Sequence, residues 1–157
     1  MTMLYSLKMR AILFCLFFIP LISCTSLPLN NENALSPNAL NMDTEKFVGQ
    51  SVFLKGYVVL GTNSRCLYES KDRYKAMISD FENDFQAFQN DYNDDKITLL
   101  NPAIIWENRD ALEGRTIVLK GNFVNNYDYA NGNPVDLQAC SRNALVLDEE
   151  HLKGILN

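Results

Sequence analysis

The residues with the most specific chemistry here are four cysteines, and their contexts divide them. Cys15 lies inside an apolar run, Cys24 closes that run, and Cys66 and Cys140 fall in the body of the chain. Two cysteines cannot complete a tetrahedral zinc site, and the single histidine, His151, stands near the C-terminus. In an exported domain an even pair reads as a disulfide rather than a metal site, so Cys66–Cys140 is the expected bridge. Closing over 70 residues, it would remove unfolded-state entropy worth roughly 4 kcal/mol.

Other reactive types are present without a catalytic arrangement. The chain has 19 Asp and Glu, yet no pair stands in a context suggesting a tuned pKa. It has no Gly-rich phosphate loop, no Gly-x-Ser-x-Gly elbow and no metal-binding histidine pair. Asp91-Tyr92-Asn93-Asp94-Asp95 is similar to the opening of a calcium loop, but the match fails downstream. Lys96 stands where the sharp turn wants glycine, and Pro102 where the bidentate glutamate belongs. Asn125 to Asp136 is a loop by composition, and its Tyr127 and Tyr129 are candidates to stack on a ligand or touch a protein. A plain solvated hairpin loop is the simpler account of them. Lys55 and Lys120 offer a small basic spot or two ordinary solvent-facing strand residues. No catalytic residue, metal ligand or cofactor site is therefore assigned.

The N-terminal stretch is unlike the rest. Met1 to Arg10 ends in Lys8-Met9-Arg10, and Ala11 to Ile22 is almost wholly apolar. A run of about a dozen residues is too short for a spanning helix, which needs roughly 20. A charged n-region followed by such an h-region reads as a signal peptide. Leu21-Ile22-Ser23-Cys24 then resembles the lipobox of bacterial lipoproteins. That resemblance implies cleavage before Cys24, a diacylglyceryl group on its sulfur and an acyl chain such as palmitate on its amine. Several chains give stable anchoring where one does not. Thr25 replaces the aspartate that retains many Gram-negative lipoproteins in the inner membrane, which implies the periplasmic face of the outer membrane. The composition agrees with a surface unsuited to nucleic acid. The whole chain carries −5, and residues 1–23 hold two cations and no acid, so the remainder is near −7.

Residues 1–23 are thus expected to be the signal peptide, 24–45 the lipidated N-terminus and a flexible tether, and 46–157 one globular domain. The tether is rich in Asn, Ser and Pro, although Leu35 and Leu40 also fit a short helix packed on the domain.

Within the domain one phrase occurs twice. Phe47 to Val59 and Leu112 to Val124 share a template: apolar, x, Gly, two polar, three apolar, Lys, Gly, x, two apolar. Each reads as a turn glycine opening a strand. Alternation puts Val52, Leu54, Val58 and Leu60 on one face, and Ile117, Leu119 and Phe123 on another, with Gly56 and Gly121 mid-strand on those faces. A mid-strand glycine marks a bend that a small barrel needs. The segments after the two phrases do not match, so two strands meeting one geometric demand explain the echo better than full duplication.

These phrases resemble the first and fourth strands of OB-fold domains. That resemblance implies a mainly β, α+β fold: a five-stranded small barrel with an inserted amphipathic helix. Strands are expected at 51–60, 65–70, 97–100 with an extension toward Trp106, 116–124 and 143–148, with a short helix at 107–113. Between strands two and three, Tyr74, Met77, Ile78, Phe81, Phe85, Phe88 and Tyr92 recur at helical spacing, a stripe to pack over the barrel or to meet a partner. The resulting expectation is a lipid-anchored, non-enzymatic binding or accessory protein of the cell envelope, attached through Cys24 and meeting another envelope protein. A structural or immunity-type lipoprotein and a carboxylate-dependent envelope hydrolase are the alternatives.

Overall fold

The structure, a computed structural model, describes residues 31–61, 64–83, 92, 94–127 and 140–156. The five strands are β1 (Ser51–Val59), β2 (Cys66–Tyr68), β3 (Lys96–Leu100), β4 (Thr116–Val124) and β5 (Ala144–Leu147). Each strand has two neighbours, and the order β1-β2-β3-β5-β4 returns to β1 as a closed barrel. All ladders are antiparallel except β3–β5. The helices are α1 (Pro37–Met42), α2 (Thr44–Phe47), α3 (Lys71–Asn83), α4 (Pro102–Glu107), α5 (Arg109–Leu112) and α6 (Glu149–Leu156). The class is α+β.

The alternation read from sequence fills the barrel. Val52, Leu54, Val58, Leu60, Leu119 and Phe123 are buried with Leu67, Ile97, Leu99 and Leu145. Gly56 and Gly121 lie where another strand crosses closely. A Cβ on Gly56 would stand 2.5 Å from Tyr68 O and 2.7 Å from Leu67 Cγ. One on Gly121 would meet Val146 O, and Leu145 Cγ at 2.8 Å.

The repeat reaches further upstream than the phrase. Pro37, Thr44 and Ser51 open α1, α2 and β1, and Pro102, Arg109 and Thr116 open α4, α5 and β4, each 65 positions later. Gly49 and Gly114 both take positive φ, at 74° and 72°. The hydrogen bonds repeat as well. Gly49 N–H donates to Phe123 O and Gly114 N–H to Val58 O, both at 2.9 Å; Phe123 N–H donates to Gln50 O and Val58 N–H to Arg115 O, both at 2.9 Å. A local two-fold axis thus runs between β1 and β4. It exchanges β2 with β5 and reverses β3. A strand antiparallel to β2 must then be parallel to β5, which explains the single parallel ladder.

The differences from the sequence reading have local causes. Residues 35–45, expected as tether with a short packed helix at Leu35 and Leu40 as the alternative, are folded on the domain. Leu35 N–H donates to Phe53 O (2.9 Å), Lys55 N–H donates to Leu35 O (2.8 Å), and Leu40 is fully buried. Ser36 Oγ accepts from Ala39 N–H at the start of α1, with Pro37 suited to the first turn. Strand three does not extend toward Trp106, because proline at 102 opens α4. The expected helix at 107–113 is instead the pair α4 and α5. The C-terminal α6, not anticipated, is capped by Asp148, whose Oδ1 accepts from His151 N–H at 2.9 Å.

Candidate functional site

Tyr57, Val59, Cys66 and Tyr68 point outward from β1 and β2, and all four are buried. Helix α3 covers them, starting at Ser70, whose Oγ accepts from Arg73 N–H. Tyr74 and Met77 reach down from it, and the Tyr74 ring lies 4.9 Å from that of Tyr68 and 5.8 Å from that of Tyr57. Burial, then the neighbouring Tyr74, pushes the Tyr68 phenol up to about 12. The stripe is only partly covered: Ile78 and Phe81 are exposed, while Phe85 and Phe88 lie outside the described residues.

A polar latch fixes this cover. Asp95 is buried and accepts from Arg73 Nε at 2.6 Å and from Asn38 Nδ2 at 3.3 Å. Arg73 stacks over the Tyr92 ring at 4.8 Å, and Tyr92 donates its hydroxyl to Asp80. Asn38 N–H donates to Glu69 Oε2 at 2.9 Å, tying α1 to the same corner. Beside them, burial holds the Lys96 ammonium below its usual range, opposed by Asp95. Asp95 therefore holds α3 in place. Asp91 and Asn93 of the acidic run lie outside the described residues.

Cys66 and Cys140 form a disulfide, with Cα atoms 6.0 Å apart, joining β2 to the approach to β5. The buried Thr98 hydroxyl organises that approach: it accepts from Cys140 N–H (3.1 Å) and Ser141 N–H (2.9 Å) and donates to Ser141 O (2.7 Å). The bridge was legible from cysteine number and context; the role of Thr98 was not, since a threonine in a strand carries no such signal.

The remaining candidates do not converge. Tyr127 N–H donates to Arg142 O at 2.9 Å, just past β4, and Tyr129 lies outside the described residues, as does Cys24. Lys120 is paired with Asp148 at 2.8 Å and Lys55 is exposed, so the two make no shared basic spot. The Lys120 hydrogen bond, and then that from His151 N–H, hold Asp148 below the usual carboxylate range. A shallow groove of about 250 Å³ runs beside this pair, lined by Ser51, Asn122, Val146, Glu149 and Glu150 among others. His151 packs edge-on against Phe53 at 5.4 Å, placed by α6.

Among the described residues no group of three or more His, Cys, Asp or Glu could hold a metal ion, and no helix is long and apolar enough to cross a membrane. The arrangement offers a cross-linked barrel whose aromatic outer face is occupied by its own helix. No protein-family model, characterised protein or solved structure matches the chain.

Proposed function

We propose that this chain is a lipoprotein of the bacterial envelope whose barrel is an OB-like accessory module that binds another envelope protein. The observation that carries the reading is the Cys66–Cys140 bridge. Such bridges persist in oxidising compartments such as the periplasm, which agrees with a lipobox-like segment upstream. Thr25 after the acceptor cysteine favours the outer membrane.

The OB-like reading is supported by the strand order, by the close strand approach at Gly56 and Gly121 and by the helices between β3 and β4. Helix α3 is an addition to that plan. It occupies the outer face of β1 and β2, which favours a role in which other surfaces meet a protein over capture of a sugar or base on those tyrosines.

Metabolic labelling with an alkyne palmitate analogue tests the anchor. Label is expected on the wild type and lost in Cys24→Ser, with the protein in the outer-membrane fraction. Unlabelled protein recovered as a soluble species would overturn it. Crosslinking in intact cells tests the binding role, which fails if no specific protein adduct forms.

A further inference from the structure

We propose that the α1–α2 end of the barrel faces the bilayer and touches lipid through Met42 and Val48; this rests on the reading of Cys24 as the lipidated residue.

The first argument is length. Asn31 opens a short 3-10 helix, and four residues later Leu35 is already bonded to β1. Only seven residue steps separate Cys24 from Asn31. At no more than roughly 3.6 Å per residue, that connection spans at most about 25 Å whatever its conformation. This is less than the diameter of a small domain, about 30 Å. The chain meets the barrel immediately before α1, so the α1–α2 end is the part kept nearest the headgroups.

The second argument comes from the two-fold repeat, which supplies an internal control. Helices α1–α2 and α4–α5 close opposite ends of the barrel, because β1 and β4 that follow them are antiparallel. Met42 is 79% exposed and Val48 41%. Their counterparts 65 positions later, Glu107 and Glu113, are also exposed and carry charge. The same backbone positions thus bear apolar side chains beside the anchor and acids at the far end. Glu113 has a structural task, since its Oε2 accepts from Leu60 N–H at the end of β1; Met42 against Glu107 is the comparison that helix packing leaves free. An apolar side chain at the headgroup boundary gains by leaving water.

The test uses full-length lipidated protein in vesicles of phosphatidylethanolamine and phosphatidylglycerol containing a nitroxide lipid. A fluorophore is attached at Glu45→Cys or at its repeat counterpart Asp110→Cys, both exposed sites. Quenching is expected to be severalfold stronger at position 45 and to fall there in a Met42→Glu, Val48→Glu background, which copies the opposite end. Lipidated protein with equal quenching at both sites, or stronger quenching at 110, would overturn the orientation alone. Mass spectrometry finding no diacylglyceryl group on Cys24 would remove the anchor reading and the orientation with it.

Discussion

Leu54 and Leu119 stand directly opposite each other in the β1–β4 ladder, and they are also the same position in the two repeats. The local two-fold axis passes between them. Both are buried in the barrel core. Leu54→Ala and Leu119→Ala should therefore cost similar amounts, about 2–5 kcal/mol each, as for other buried leucines. Because the two side chains share one patch of core, the double variant should deviate from additivity by about 0.5 kcal/mol or more. Urea unfolding of the four-member cycle measures this. Strict additivity would mean that the barrel centre is not shared between the repeats.

The glycines flanking that axis lead to a paired prediction. Gly56→Ala and Gly121→Ala each push a methyl group into a neighbouring strand's carbonyl and leucine. A backbone oxygen cannot swing aside as a side-chain tip does, so each should destabilise by at least the roughly 1–3 kcal/mol typical of overpacking. Gly154→Ala is the control. Nothing lies within 4 Å of the added carbon, and alanine favours the helix by roughly 1 kcal/mol. Thermal melts should order the three variants in that way.

Much of this barrel could be read before the structure because period-two alternation reports burial directly. Val52, Leu54, Val58 and Leu60 could hardly face anything but a core, and a repeated Lys-Gly step announced repeated geometry. The upstream half of the repeat leaves no mark in the sequence because α1 and α4 share little beyond an initial proline. Short helices fixed by contacts such as Leu40 in the core have no period long enough to decide between packed helix and tether. The Asn-rich composition of residues 30–45 hid those contacts further. The latch of Arg73, Asp95 and Asn38 joins positions far apart in sequence, which no local pattern could pair. Of the candidate site residues, only the two body cysteines announced their partnership.

The disulfide closes a loop of 74 residues. Constraining the unfolded chain over that length is worth about 4–5 kcal/mol in the chain-entropy model. The Cys66→Ala, Cys140→Ala variant should lose an amount of that order in urea unfolding, and reductant should lower the melting temperature of the wild type but not of the variant. Equal melting temperatures for the oxidised and reduced wild-type protein would contradict this.

Tyr68 makes the fold sensitive to alkali. Its phenol ionises near 10 in an unfolded chain and near 12 in the fold, because burial disfavours the phenolate. The native state therefore holds the proton through that interval while the unfolded state releases it. Its stabilising contribution is complete below pH 10 and is lost as pH rises through 12, a total of about 2–3 kcal/mol. Tyr68→Phe should flatten the alkaline fall in stability. A phenolate absorbance titration of the folded wild type should show one tyrosine ionising late that is missing from the variant.

Thr98 offers the sharpest test of the region around the bridge, because the replacement with valine keeps the shape and removes only the hydroxyl. That oxygen is fully buried, receives two backbone amides, from Cys140 and Ser141, and returns a hydrogen bond to Ser141 O. Valine leaves the amides and the carbonyl without this partner, and each buried unsatisfied group costs about 1–3 kcal/mol. Part of that cost is relieved if residues 140–141 move outward to water, so the expected loss is about 2–4 kcal/mol. The disulfide limits how far they can move. The loss should therefore be smaller in a Cys66→Ala, Cys140→Ala background, where the segment is free to relax. Equal losses in both backgrounds would show that the hydroxyl and the bridge act independently.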